Sequence, residues 1–518
     1  MKKLLVALNA KYPHKGPAVW MLREACAREG IAVRVLELEI GRPVHDMLRD
    51  ILRQEPDIVG FSCAIWNIAL VERLTAALRR ALPACMILWG GPEVSYDAVS
   101  RIKRPIAPDA ILAGEGEETL PAMLLRLEKG MPADGPGVVT RTKDGGVAAP
   151  VLPEKWVHLY PRGAVAEPHK LHYVETSRGC PFVCRYCLSS VQGGVRAVPA
   201  REAAARLLSA RDAGAGTVKA LDRTFNFDAS RAREIWRILM REGGGAVYHF
   251  EIAAHLLGEE DISLLGTAPV GLFQFEIGIQ TTTAAALDAM GRKQDFSRLS
   301  RAVTALRDAG NIHLHLDLIA GLPGDSYADF AQSVDDALAL RPHALQLGFL
   351  KLLPGSGVRD DFDAMCLPYD PAAPYEAFAS DAVSPRELDR LHDVEEALSL
   401  YWNSGSFERT KEKWLFSFGK LEAVAASLRE EGFFDAPRSL AYRFDALRRA
   451  LPADAEEDLR YDWLAAGQRE YRPWMRSCPD VEALRSVELE STLRRRAHVE
   501  RFGGGRVLFL PGRSPSAL

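Results

Sequence analysis

Three cysteines fall within eight residues, Cys180, Cys184 and Cys187, immediately after a predicted strand at His172 to Thr176. Eight cysteines in 518 residues are too few for a disulfide scaffold, so this group calls for a chemical explanation. Thiolates at i, i+4 and i+7 converge on one metal centre when the backbone loops around it. A structural zinc ion takes a fourth ligand. The nearest histidines, His169 and His172, both precede the loop. A [4Fe–4S] cluster normally takes four cysteines, so three leave one iron open to an outside ligand. The spacing favours such an open-site cluster over zinc.

The flanking sequence predicts an α/β protein. Residues 1–132 alternate short apolar runs with amphipathic stretches, as in a flavodoxin-like parallel sheet. Its predicted strands are Leu4 to Asn9, Val33 to Leu38, Ile58 to Ser62, Met86 to Trp89 and Ala110 to Ala113. Residues 133–168, rich in Pro, Gly and Ala, read as a linker with one hairpin. Alternation resumes over 169–368 with six βα units, a partial (β/α)6 barrel. Residues 369–518 carry long amphipathic stretches, such as Pro385 to Tyr401 and Lys411 to Glu431, and read as a mainly helical domain.

Cys180-x3-Cys184-x2-Cys187, with Tyr186 before the third cysteine in the first loop of such a barrel, resembles the radical S-adenosylmethionine (SAM) superfamily. The resemblance implies that these three cysteines ligate a [4Fe–4S] cluster and that SAM chelates the fourth iron. Asp222 to Asn226, after the second barrel strand, resembles the acidic-aromatic-asparagine turn of cobalamin-dependent members. It stands where others carry Gly-Gly-Glu. In Phe275 to Thr281, period-two alternation puts Glu276, Gly278 and Gln280 on one face. The resemblance assigns Glu276 and Gln280 to the ribose and methionyl groups of SAM, and Asp317 and Leu353 to the later motifs.

The amino-terminal region lacks Gly-x-Gly-x-x-Gly, which speaks against a dinucleotide. Placed ahead of a radical SAM barrel, it resembles the cobalamin-binding domain of that superfamily's cobalamin-dependent branch. Ser62, Gly90, Gly91, Glu93, Gly114 and Glu115 carry the match. Side-chain-free Gly90 and Gly91 would let a corrin approach the sheet end, and Ser62 would hydrogen-bond its nucleotide tail. The same glycines also suit tight turns. The Asp-x-His-x-x-Gly signature of cobalamin mutases is missing. Asn9 to Gly16, with Lys11 and His14, occupies that end of the sheet, and His14 reads as a solvated loop residue rather than a cobalt ligand.

The resemblance therefore implies a methyltransferase that moves a methyl group from SAM, by way of methylcobalamin, to an unactivated carbon of a small molecule or peptide. An external donor of the flavodoxin or ferredoxin type would supply electrons. The alternative is a cyclase or rearrangement enzyme using the same cofactors without methyl transfer. Lys plus Arg at 65 against Asp plus Glu at 69 gives a net charge of −4, which excludes a globally basic nucleic-acid binder. Arg494 to Arg496 reads as a solvated helix face. No apolar run reaches the ~20 residues of a membrane span, and a cytoplasmic protein is expected. The third domain resembles the uncharacterised carboxy-terminal region of one cobalamin-dependent subgroup through Tyr401 to Gly405 and Phe407.

Overall fold

The computed structural model describes the chain except residues 11–13, 161–163, 168, 192, 488, 490–496, 503–504, 511–513 and 518. Lys11 and the Arg494 to Arg496 run lie outside the described residues. The chain divides into two compact units. One comprises Met1–Gly278, Ala285–Leu314 and Phe349–Ser380; the other comprises Ile279–Ala284, His315–Gly348 and Asp381–Leu518.

In the first unit, β1 (Lys3–Asn9), β2 (Arg34–Glu39), β3 (Ile58–Ser62), β4 (Met86–Gly90), β5 (Ala110–Leu112) and β6 (Val138–Thr140) form one sheet. Its order is β2-β1-β3-β4-β5-β6. Only β6 runs antiparallel to its neighbour. Alternation sends Leu4, Val6 and Leu8 into one core and Leu5 and Ala7 into the other. A parallel sheet covered on both faces requires just such continuously apolar strands. The expected linker thus contributes an edge strand, for Val138 and Val139 are both buried. Three residues are too few to show a period in sequence.

The second sheet of this unit begins at β7 (Leu171–Val174). A two-stranded antiparallel ribbon follows, β8 (Ser177–Gly179) with β9 (Val195–Ala197), bracketing the cysteine loop. Then come β10 (Thr217–Ala220), β11 (Val247–Ile252) and β12 (Phe273–Gln280). Strands β7, β10, β11 and β12 pair in parallel in that order. Along β12 the residues Phe273, Phe275, Ile277 and Ile279 are buried, whereas Gln274, Glu276, Gly278 and Gln280 are half-buried on the opposite face. Phe250, Phe275 and Trp236 of the intervening helix Ala229–Glu242 pack as an aromatic layer behind the sheet.

The second unit holds most of β13 (His313–Ala320) and β14 (Ala344–Phe349), separated by the helix Tyr327–Ala339. These complete six strand–helix repeats along the chain. Beyond residue 381 the unit is mainly helical, and Tyr401, Phe407, Phe444 and Trp463 pack in succession through its core. The expected helix over Lys411 to Glu431 is two helices, Glu408–Trp414 and Phe418–Glu430. Ser417 breaks the run by accepting the Lys420 N–H as an N-cap. A region expected to be helical ends in a three-stranded antiparallel sheet, β15 (His498–Phe502), β16 (Gly505–Phe509) and β17 (Ser516–Ala517). Val499, Phe502, Leu508 and Phe509 bury its apolar positions, and each strand is too short for its alternation to stand out.

Candidate active site

The first unit encloses a cavity of about 360 Å³ at the carboxyl ends of β3, β4 and β5, where open α/β sheets bind ligands. Ser62, Gly90, Gly91, Gly114 and Glu115 line it, together with Glu175 after β7, Arg178 of the β8–β9 ribbon and Leu221 after β10. Five of the six residues expected to meet cobalamin therefore share one wall with the segment that leads into Cys180. Glu93 is not on that wall. It is buried and accepts hydrogen bonds from Arg101 at 3.1 Å and from the Tyr375 hydroxyl.

The two paired glycines differ. Gly91 has φ of +116°, and a Cβ there would lie 2.5 Å from the Cys63 carbonyl oxygen. Its backbone alone demands glycine. Gly90 is under no such constraint, since a Cβ would meet nothing closer than Leu112 at 3.7 Å. Its missing side chain is cavity space. That cradle, which a side chain at Gly90 would fill, fits a bulky flat ligand.

The cysteine loop is pinned from several sides. The Ser190 hydroxyl donates to the carbonyls of Cys184 and Cys187, and the Arg185 backbone N–H donates to Met290 O at 3.0 Å. Cys184 is buried, and Cys180 and Cys187 are half-buried. The Cys180 Sγ lies 3.3 Å from the Thr224 hydroxyl. Arg292 donates to Tyr186 Oη at 3.2 Å and to Gly278 O at 2.5 Å, and lies 3.8 Å from Cys184 Sγ. Among the described residues no three His, Cys, Asp or Glu side chains gather around a single-ion site. A cubane cluster, with one thiolate per iron, asks for a wider spread than a single zinc ion. A cationic guanidinium beside the Cys184 sulfur would suit a cluster of net negative charge.

The turn after β10 is spent on the protein rather than presented to a ligand. Asp222 is fully buried and accepts from Thr176 N, Thr176 Oγ1 and Ser177 Oγ at 2.5–2.9 Å. Asn226 donates to Ala253 O at 3.0 Å and accepts from Ala253 N at 2.9 Å. Both side chains thus staple neighbouring strand ends, as buried polar groups do where water is excluded.

Glu276 sits in a polar row across adjacent strands. It accepts from Lys219 Nζ at 2.9 Å and is 2.8 Å from His249 Nε2. Burial pushes its carboxyl up, but the His249 hydrogen bond and the Lys219 charge outweigh that and lower it to about 2. Glu251, opposite Glu276 in register, lies 3.7 Å from Lys219 and 3.7 Å from Arg223. Burial holds its carboxyl above the ordinary range. His14 hydrogen-bonds the Tyr173 hydroxyl at 2.6 Å rather than lying in solvent. Leu353 sits in the turn before Gly355, whose missing Cβ would strike the Tyr96 ring.

Gln280 and Asp317 belong to the other unit. Gln280 adopts a left-handed φ of +69°, a strained conformation for a residue with a side chain. Asp317 lies 3.3 Å from His315 Nε2. Sequence reading missed Arg178, Lys219, His249 and Arg292. Lys219 and His249 were within reach, since they share the alternating face that singled out Glu276. Arg292 comes from a loop 108 residues beyond Cys184 in the chain, and no local pattern marks it.

Residues 3–124 match the B12 binding domain, residues 174–337 the radical SAM superfamily, and residues 365–501 a protein family of unknown function (DUF4080). The hopanoid C-3 methylase of Methylococcus capsulatus is 24% identical over 58% of this chain, and the match spans 60% of that protein. An uncharacterised methyltransferase of Pyrococcus horikoshii is 23% identical over 60% of this chain and 70% of its own length. The structure of the radical SAM methyltransferase TsrM from Kitasatospora setae, with cobalamin and a [4Fe–4S] cluster bound, superposes with a TM-score of 0.62. It is 17% identical, covering 90% of this chain and all of that one. The cobalamin-dependent radical enzyme OxsB gives 0.58 at 16% identity, covering 89% and 79%. The chain thus carries, in this order, a match to the B12 binding domain and a match to the radical SAM superfamily.

Proposed function

We propose that this protein is a cobalamin-dependent radical SAM methyltransferase acting on an unactivated carbon of a small molecule or peptide. The observation that carries the reading is the single cavity whose wall joins Gly90 and Gly114 to Glu175 and Arg178, two residues before Cys180. Only a reaction that uses a corrin and a cluster together needs those two sites side by side.

Cys180, Cys184 and Cys187 would hold the cluster, leaving one of four iron sites for the amino and carboxylate groups of SAM. The bound cofactors would supply, from the cluster and SAM, the radical that removes a substrate hydrogen and, from the corrin, the methyl group that replaces it. Gly90 clears the approach to the sheet end, and Ser62 offers a hydroxyl on the same wall. Arg292 fixes Tyr186 and places positive charge beside Cys184. Lys219 and His249 keep the Glu276 carboxylate ionised and oriented for a hydroxyl-bearing ligand. An external low-potential electron donor and a reducing cytoplasm complete the reading. Among the described residues no helix is long and apolar enough to cross a membrane.

The test is anaerobic reconstitution with iron, sulfide, hydroxocobalamin, SAM and reductant, followed by mass spectrometry. Formation of 5′-deoxyadenosine, its loss in Cys184→Ala and retention of a stoichiometric corrin are expected. Wild-type protein that forms no 5′-deoxyadenosine, or retains no corrin, overturns the reading.

A further inference from the structure

The β8–β9 ribbon that carries the cysteine loop is built on a conflict. Each strand has three residues, and the register sets Arg178 directly opposite Arg196. A two-stranded ribbon is marginal by itself, and like charges face to face across it weaken it further. What offsets the repulsion is a set of carboxylates: Glu175 accepts from Arg178 at 2.7 Å, and the turn after β5 supplies the others. Glu115 accepts from Arg178 at 2.8 Å through one oxygen and from Arg196 through the other. Glu117 adds a further hydrogen bond to Arg178, and Trp156 lies under both guanidinium groups at 4.7 and 5.8 Å.

We propose that Glu115, Arg178 and Arg196 form a clamp through which the corrin cavity and the cysteine loop order one another. Glu115 sits between Gly114 and Gly116, which line the cavity, and Arg178 lines it too. A displacement of the 114–117 turn therefore both reshapes the cavity wall and leaves the two facing arginines at the base of the loop with Glu175, beside Arg178, as their carboxylate partner. Glu115 and Arg178 are positioning residues in this scheme. By linkage, a cluster that orders the loop tightens corrin binding, and a bound corrin favours the loop conformation that receives the cluster, by one and the same factor. The mutual ordering of the two cofactor sites rests on the function proposed above. The charge-neutralised ribbon does not.

Two measurements test the clamp. The first is hydrogen exchange of the 177–180 and 195–197 amides in the protein without cofactors. Glu115→Gln is expected to speed exchange there at least ten-fold, with the β1–β4 amides unchanged. Arg196→Ala, which removes one of the repelling charges, is expected to restore protection in the Glu115→Gln background. Unchanged exchange in Glu115→Gln overturns the clamp whatever the cofactors are. The second is hydroxocobalamin affinity, measured by absorbance, with and without the reconstituted cluster. Wild type is expected to bind at least about five-fold tighter with the cluster. Arg178→Ala should abolish the difference, and Arg178→Lys should keep part of it. Equal ratios in wild type and Arg178→Ala overturn the coupling. Wild type that binds no corrin in either state overturns the functional reading and leaves the exchange result to decide the clamp.

Discussion

The two parallel sheets of the first unit end in opposite ways. At the end of β4 a side chain is withheld: Gly90 leaves cavity space where a Cβ would meet nothing closer than Leu112 at 3.7 Å. Across β10, β11 and β12, side chains fill the space with charge, Lys219, His249, Glu251 and Glu276 lying within 3.7 Å of one another along a chain of pairs. An empty end suits a large rigid ligand that brings its own contacts, for added protein atoms would only obstruct it. A charged end suits a small polar ligand, whose orientation depends on preset donors and acceptors. The first economy tolerates no added atoms, and the second no lost charge.

Breaking the empty end should give the largest effect. Gly90→Leu is expected to lower hydroxocobalamin affinity at least about 100-fold, roughly 2.7 kcal/mol, with a melting temperature near wild type. Parallel absorbance titration and thermal unfolding would check it, and equal loss of folding would mean that Gly90 is a turn residue after all. Gly91→Ala reverses the pattern, costing on the order of 2–3 kcal/mol of stability through its positive φ and the Cys63 carbonyl. Chemical denaturation measures that cost.

Breaking the charged end should give a pH-dependent loss. Folding lowers the Glu276 carboxyl to about 2, below the ordinary value of about 4.3. Its pairing thus stabilises the fold fully above about pH 4.3, and that stability drains away as pH falls towards 2. Glu276→Gln is expected to cost about 2–3 kcal/mol at neutral pH and progressively less in acid, as read by denaturation midpoints across pH. The second unit offers the converse case. Asp325 is fully buried, accepts from Thr283 at 2.8 Å and has one carboxylate oxygen without a hydrogen bond among the described residues. Burial raises it to about 6. A raised carboxyl costs stability above its folded value, and the cost disappears as pH falls through 6. Asp325→Asn is expected to gain about 1–2 kcal/mol at pH 7.5 and nothing near pH 4. A loss at pH 7.5 would mean that the charge is compensated.

Much of this organisation was legible in the chain itself. The alternation of apolar runs located the strands, because a strand covered on both faces must be apolar along its length. The cysteine spacing identified the loop. Period-two alternation put Glu276 and Gln280 on one face, since successive side chains of a strand point opposite ways. The elements β6, the β8–β9 ribbon and the terminal sheet escaped because none stands in the strand–helix alternation that marked the equally short β5 and β10. The roles of Asp222, Asn226 and Glu93 escaped for another reason. A motif states which polar residues are present but not which protein groups consume their hydrogen bonds.

The sequence by itself determined two α/β layers, a cysteine-bearing loop between them and glycines at the sheet end, all properties of local spacing. Only the tertiary structure decided that Gly90 is cavity while Gly91 is turn, and that Arg178 and Arg196 face each other across Glu115. The same holds for the buried guanidinium of Arg292 beside Cys184. These contacts join groups 22 to more than 100 residues apart within 4 Å. Contact at that separation is set by how the layers pack, and packing leaves no period in the chain.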